Sequence, residues 1–215
     1  MAKRHIANAR YNQSLARRQG QIEPRAVSLV VCGGQTERYY FEALRERFKL
    51  RTTEVIIPSG ADGADPMKQV EYAEGKCREK GGYDSVYCVF DRDQHPSFEP
   101  ARAKIRALAQ AARKPLPIHE AISIPAFEVW VLAHFERTTS PFANCDAVIQ
   151  RIRDEDHIRD YTKANVQLSQ RLVERVDKAI DNGLWLEERA REDAFDNPFT
   201  NVHALAKFLK EVGDS

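Results

Sequence analysis

The chain alternates short apolar, β-branched runs with longer segments whose apolar residues recur at helical spacing. Val27-Ser-Leu-Val-Val-Cys32 is bounded by turn residues and reads as a buried strand, closed by Gly33-Gly34. Thr36 stands where a capping hydroxyl would start a helix whose apolar positions are Tyr40, Phe41, Leu44 and Phe48. Glu54–Pro58 is a second brief strand, followed by a Gly- and Asp-rich loop, Ser59–Asp65. Asp65-Pro66 supplies an N-cap and a first-turn proline to a helix with Met67, Val70, Ala73 and Cys77 on one face, which stops at Gly81-Gly82. Ser85–Phe90 is a third strand, and Asp91-Arg-Asp93 follows it directly. Ala101–Arg113 is helical. Ile118, Glu120, Ile122 and Ile124 mark a fourth strand ending at Pro125, and Phe127–Phe135 reads as an apolar helix carrying Trp130.

Strands and helices alternating at these lengths imply right-handed crossovers and a mostly parallel, four-stranded α/β sheet covered on both faces. Beyond Ser140 the pattern turns helical: Cys145–Ile152, Ala164–Ile180, Leu184–Ala194 and Phe199–Val212, the last opened by Asn197-Pro198. The expected organisation is a basic arm over 1–24, an α/β core over 25–138, and a helical extension over 139–215 packed on that core.

Composition narrows the class. With 215 residues, 42% apolar and 30% charged, the chain can bury a sizeable core and is not expected to be disordered as a whole. Its apolar runs, such as Val129–Ala133, are far too short to span a membrane. Met1–Gly20 is polar and arginine-rich with no apolar stretch after the charges, so no signal peptide is expected. Cys32, Cys77, Cys88 and Cys145 form no C-x-x-C pair, which fits structural thiols in a reducing, cytoplasmic setting rather than a zinc or disulfide framework. Net charge is only +1, yet Lys3, Arg4, Arg10, Arg17 and Arg18 all precede the first acid, Glu23. Such an arm can neutralise the phosphates of DNA or RNA; the same composition also describes a solvated terminus.

Ligands of open parallel sheets bind beyond the carboxyl ends of the strands. That rule selects Gly33–Glu37 after the first strand, Asp91-Arg-Asp93 after the third and Ser123–Glu128 after the fourth. Asp91 and Asp93 can direct two carboxylates into one crevice, and Glu37 can meet them from the first turn of its helix. Clustered carboxylates repel unless a cation joins them, and hard oxygen donors suit Mg²⁺ or Mn²⁺. The alternative for this pair is a capped turn. Spacing alone does not decide it, because Asp154-Glu-Asp156 repeats the pattern with no strand before it. Gly33-Gly-Gln-Thr-Glu37 lacks the Lys-Ser/Thr of a P-loop, and there is no G-x-S-x-G nucleophile elbow. His134, in an apolar helix, reads as a satisfied core histidine. His95 reads as a surface turn or as a contact to water or phosphate.

Val30–Phe41, Tyr83–Asp93, Ser123–Phe135 and Asn197–His203, with Tyr161-Thr-Lys163, together resemble the RloB family in order and spacing over most of the chain. The resemblance implies a TOPRIM-type, Rossmann-like α/β core and Mg²⁺-dependent cleavage of nucleic acid. It also implies a place in restriction-associated or abortive-infection defence, often beside an AAA- or ABC-type ATPase. On that reading Asp91, Asp93 and Glu37 hold the ion, Glu128 orients the site and Lys163 stabilises phosphoryl charge. From the residues alone, Glu128 is equally an acid favoured by its helix dipole and Lys163 a solvated cation. One departure stands out: the family pattern has glutamate before Gly-x-Thr-Glu, and here that position is Gly33. Two functions therefore stay open, a nuclease and a non-catalytic binding or regulatory subunit.

Overall fold

The computed structural model of the chain describes residues 27–58, 65–80, 82–93, 95–154 and 157–214. The basic arm with Lys3, Arg4, Arg10, Arg17 and Arg18 lies outside them, as do Glu155 and Asp156. The elements run β1 (Ser28–Cys32), α1 (Gln35–Arg47), β2 (Thr53–Ile56), α2 (Pro66–Lys80), β3 (Ser85–Asp91), α3 (Phe98–Ala109), β4 (Ile118–Ile124), α4 (Glu128–Ala133), α5 (Cys145–Asp154), α6 (Val166–Val173), α7 (Val176–Glu192), β5 (Phe199–Thr200) and α8 (Val202–Asp214).

The sheet order is β2-β1-β3-β4-β5, with the first four strands parallel and β5 antiparallel to β4. Successive side chains of a strand leave on opposite faces, and β1 illustrates the consequence. Val30 and Cys32 join a core made with α1 and the helices from α4 onward, whereas Leu29 and Val31 join a second core under α2 and α3. Both faces are covered, which is why the strands are nearly continuous in apolar residues. The first of these cores runs without a break from the sheet into α5–α8. Among the described residues no helix is long and apolar enough to cross a membrane.

The structure corrects the sequence reading in four places. The sheet has five strands rather than four, and its order differs from the 3-2-1-4-5-6 of a Rossmann fold. The fifth strand is the start of the segment expected to be helical from Phe199. Two residues are too few to show a period, and side chains fix the pairing. Ser123 Oγ and Thr200 Oγ1 are 3.0 Å apart, and the Ile122 amide donates to Asn201 Oδ1 at 2.6 Å. The expected helix over Ala164–Ile180 is broken at Glu174-Arg175, while α7 runs straight through residues 181–183, the gap between that helix and the one expected over Leu184–Ala194. Gly183 there permits close approach, since a Cβ would come within 2.9 Å of His203 Cβ and 3.2 Å of the Trp130 ring. Asn182 ties the crossing by donating its side-chain amide N–H to the Ala133 carbonyl at 2.8 Å. Finally, the cap of α1 is Gly34, not Thr36. Thr36 lies inside the helix, where its hydroxyl accepts from the Ala164 amide at 3.0 Å. Asp65 is a cap as expected, accepting from the Met67 and Lys68 amides at 2.8 and 3.2 Å.

Candidate functional site

The strand order reverses between β1 and β3, and this switch point brings the first two candidate segments together. Cys32 pairs with Val89, and the Gly33 amide continues the ladder to the Val89 carbonyl at 3.2 Å. Asp91, at the end of β3, therefore lies beside the turn that opens α1. The extended backbone at Gly34 needs no glycine by conformation, but space does. A Cβ there would come within 2.9 Å of Glu37 Oε2, so the Glu37 carboxylate folds back over a residue without a side chain. Glu37 is only 8% exposed although it belongs to the first turn of a surface helix.

The loop after β3 is anchored to the end of β4. Arg92 and Asp93 donate their amides to the carbonyls of Ser123 and Pro125 at 3.1 and 2.9 Å. Asp91 Oδ2 accepts from the Phe127 amide at 3.4 Å. Asp93 adopts φ 30° on an exposed turn, so it does not enter the buried cluster, although its charge is felt by Asp91. Arg92, between them, turns away to Asp196 at 2.7 Å. His95 belongs to the same turn, its amide donating to the Arg92 carbonyl at 3.1 Å.

Glu128 begins α4, a helix whose six residues are all buried. At 1% exposure its carboxyl group has partners on both oxygens, as a buried polar group requires. Tyr161 donates its hydroxyl to Oε1 at 3.2 Å, the Lys163 ammonium reaches the same oxygen at 3.5 Å, and the Cys145 thiol donates to Oε2 at 3.1 Å. Arg153 grips the Tyr161 carbonyl at 2.6 and 3.1 Å and so fixes the loop from which Lys163 reaches in. Lys163 is thus no free solvated cation, though its side chain is half exposed.

These groups feel one another. Burial, then the charge of Asp91, pushes Glu37 up to about 8, with Glu128 adding to the rise and Lys163 opposing it. Burial, then Glu128, pushes Asp91 up to about 6, against the Phe127 amide and Lys163. Burial disfavours the charge on Lys163, but Glu128, Cys145 and Asp91 outweigh it and hold the ammonium above its ordinary range. Burial and Glu128 keep Cys145 a thiol, raised to about 12. Two buried carboxylates, Glu37 and Glu128, and the half-buried Asp91 are therefore matched by one lysine, an arrangement short of positive charge. Among the described residues no group of three or more His, Cys, Asp or Glu side chains is placed to hold a metal ion. Mg²⁺ does not require such a group, because it keeps several waters and takes one or two carboxylates. The hard oxygens of Asp91 and Glu37 have the chemistry to hold such an ion.

The sequence profile of the RloB-like protein family matches residues 28–209. The chain belongs to that family. No curated protein and no solved structure matches it. The match spans everything from β1 into α8, including the helices built behind the sheet, so the RloB-like unit is the whole described structure rather than its α/β half. Its Asn197–His203 segment is structural: Asn197 bonds the Phe142 amide and carbonyl at 3.2 and 2.8 Å, Thr200 and Asn201 hold β5 on β4, and His203 meets Glu187 at 3.1 Å. This pins the end of β4, from which Glu128 follows.

Two neighbours of the candidate site escaped sequence reasoning. Gln69, fully buried on α2, lies over Gly33, where a Cβ would meet its amide nitrogen at 2.7 Å. Its signal was a polar residue on the apolar face of Met67, Val70 and Ala73. Cys145 had no signal, since a thiol bonded to a carboxylate looks like any half-buried cysteine. His134 is a satisfied core histidine, as expected, with Nδ1 donating to the Trp130 carbonyl at 2.9 Å and Nε2 accepting from Tyr40 at 3.0 Å.

Proposed function

We propose that this RloB-like chain is a Mg²⁺-dependent nuclease of TOPRIM type, hydrolysing phosphodiester bonds of DNA or RNA in prokaryotic anti-phage defence. The observation that carries the reading is the register that sets the end of β3, with Asp91, beside the turn that opens α1, with Glu37, together with a lysine held on Glu128. Bound Mg²⁺ would supply Lewis-acid polarisation of a phosphoryl oxygen and an activated water. Asp91 and Glu37 would hold the ion, with Asp93 ordering its outer waters. Lys163 offsets phosphoryl charge, and Glu128 positions Lys163 while Tyr161 fixes Glu128. The arm bearing Lys3, Arg4, Arg10, Arg17 and Arg18 would add sequence-independent affinity. Four free cysteines support a reducing, cytoplasmic place of action.

Incubation of the full chain with single- and double-stranded DNA and RNA, with Mg²⁺, Mn²⁺ or EDTA, tests this. Cleavage that needs the metal and disappears in Asp91→Asn and Glu37→Gln is expected. Metal-independent cleavage, or cleavage retained by both variants, would overturn it.

A second reading is favoured by one observation. At the position where the resemblance implies a glutamate, Gly33 contributes nothing, and the Gln69 amide fills the space above it. On that reading the chain is a non-catalytic nucleic-acid-binding or regulatory subunit of a defence ATPase of AAA or ABC type. Metal and nucleic-acid binding without cleavage, alone or with that ATPase, would select it.

A further inference from the structure

Away from the acidic cluster, a cavity of about 260 Å³ opens where α6, the start of α7 and the segment after α5 meet. Its floor is aliphatic, made by the buried Ile158, Leu168 and Leu172. One wall is flat. Phe135 stacks on His157 with centroids 5.0 Å apart and planes 18° from parallel, and the Arg175 guanidinium lies 5.0 Å from the Phe135 centroid. Glu136 fixes His157 through Nε2 at 3.1 Å and is itself gripped by Arg151 at 3.0 Å, so its charge is satisfied inside the wall. The rim carries Arg171 and Arg175, both exposed and neither ion-paired among the described residues, against a single lining acid, Glu174.

We propose that this cavity is a nucleotide subsite for a single-stranded polynucleotide, seating one base against the aliphatic floor and flat wall with the adjoining phosphates on Arg171 and Arg175. The inference rests on nucleic acid being the substrate of the acidic site, and it adds the strandedness and the path. A concavity of this size with an aliphatic floor takes one unstacked base, whereas a duplex keeps both faces of every base covered. Aromatic and aliphatic contact with a base is tolerant of sequence, and planar guanidinium groups match phosphate oxygens. The location agrees with a path. Leu168 and Leu172 also line a small cleft with Thr36, Tyr161 and Thr162, so α6 borders both the cavity and the loop that carries Lys163. A strand crossing that loop reaches both.

The test is fluorescence anisotropy of the full chain with three labelled 12-mers in EDTA at several salt concentrations. The probes are oligo(dT), oligo(U) and an oligomer of the same phosphates in which every base is missing. Arg171→Gln with Arg175→Gln should weaken oligo(dT) and oligo(U) about tenfold. It should also make the log–log salt slope shallower by about 1.4, since each single-strand phosphate contact contributes about 0.7. Arg171→Lys with Arg175→Lys should recover most of the affinity. Arg106→Gln with Arg113→Gln, which removes two exposed charges from another part of the surface, should leave it unchanged. The wild type should prefer the oligomers with bases by at least threefold. Wild-type binding that is insensitive to Arg171 and Arg175 overturns the subsite and leaves the nuclease reading standing, as does equal affinity for the oligomer without bases. No wild-type binding to any strand overturns both.

Discussion

Tyr161 donates its hydroxyl to Glu128 Oε1 across 3.2 Å in the interior of the protein, and both residues are about 1% exposed. The oxygen that Tyr161 steadies is the one Lys163 approaches from solvent, at 3.5 Å. Tyr161 therefore acts on the site through Glu128 rather than on a substrate. Tyr161→Phe keeps the ring and removes one hydrogen bond to a charged group, which costs about 1.5–3 kcal/mol. Urea unfolding should register a loss of that size. The change should also weaken the hold on Lys163, so that Lys163→Ala on the Tyr161→Phe background does less to oligonucleotide affinity than on the wild type. Strict additivity of the two changes would separate Tyr161 from the site.

On the proposed reading, Glu37 and Asp91 hold a divalent ion. Each is raised by burial and by negative neighbours, to about 8 and about 6. The native state thus binds more protons than the unfolded chain between the ordinary carboxylate range and about pH 8, so these groups make stability fall as pH rises through that window. A bound cation favours the ionised forms and should oppose the decline. At pH 8, Mg²⁺ at a hundredfold excess over its dissociation constant should stabilise the chain by about 2.7 kcal/mol. Thermal melts should show that gain in the wild type and none in Asp91→Asn with Glu37→Gln. Equal shifts in both proteins would place the ion elsewhere.

His134 gives the opposite pH dependence, from the core. Burial, assisted by the charge of Arg175, drives it down to about 4 despite its bonds to the backbone of Trp130 and Val131. Its native value lies below the unfolded one, so the unfolded chain binds the extra proton between about pH 4 and 6.5. The stability it contributes is complete above pH 6.5 and is lost as pH falls through that interval. The full loss is on the order of 3 kcal/mol. Urea titrations of wild type and His134→Gln should differ by an amount that grows from pH 4 to 6.5 and is level above. A constant difference would mean that His134 does not titrate in this range.

The strand ends, the alternation of strands with helices and the two-sided sheet were legible because periods of 2 and 3.6 leave a trace over five or more residues. Glu37, Asp91 and Glu128 could be named because a parallel sheet puts its chemistry at its carboxyl edge. What stayed hidden depends on distant partners. The two residues of β5 carry no period and are held by Asn201 and Ser123, residues 79 and 77 positions from the partners they bond. Asn182-Gly183 reads locally as a helix end, yet His203 and Trp130 pack against Gly183 and keep the helix whole. The pair Asp91 and Asp93 looked equivalent in sequence. The positive φ of Asp93 sends one of them out to solvent.

Gly33 is the position where the resemblance and the geometry can be set against each other. Its backbone does not occupy the left-handed region, so glycine is not required there by conformation. The obstacle is Gln69, whose amide nitrogen lies 2.7 Å from where a Cβ would stand, while the nearest backbone atom, the Val89 carbonyl oxygen, is at an ordinary 3.7 Å. Gln69 is wholly buried, so its side chain has little room to retreat. Overpacking of this kind costs about 1–3 kcal/mol. Gly33→Glu alone should therefore lower the urea midpoint. Gly33→Glu with Gln69→Ala should recover part of the loss, because the truncation opens the space the new side chain needs. A double-mutant cycle should show a coupling of at least about 0.5 kcal/mol, the lower end for residues in contact. If a strand-one carboxylate is what the site lacks, the folded double variant should cleave about 10²–10⁴ times faster in Mg²⁺ than Gln69→Ala alone, the usual contribution of a positioned acid–base group. Recovery of stability without any gain in cleavage would leave the contact with Gln69 intact as physics and make the non-catalytic subunit the better account of Gly33.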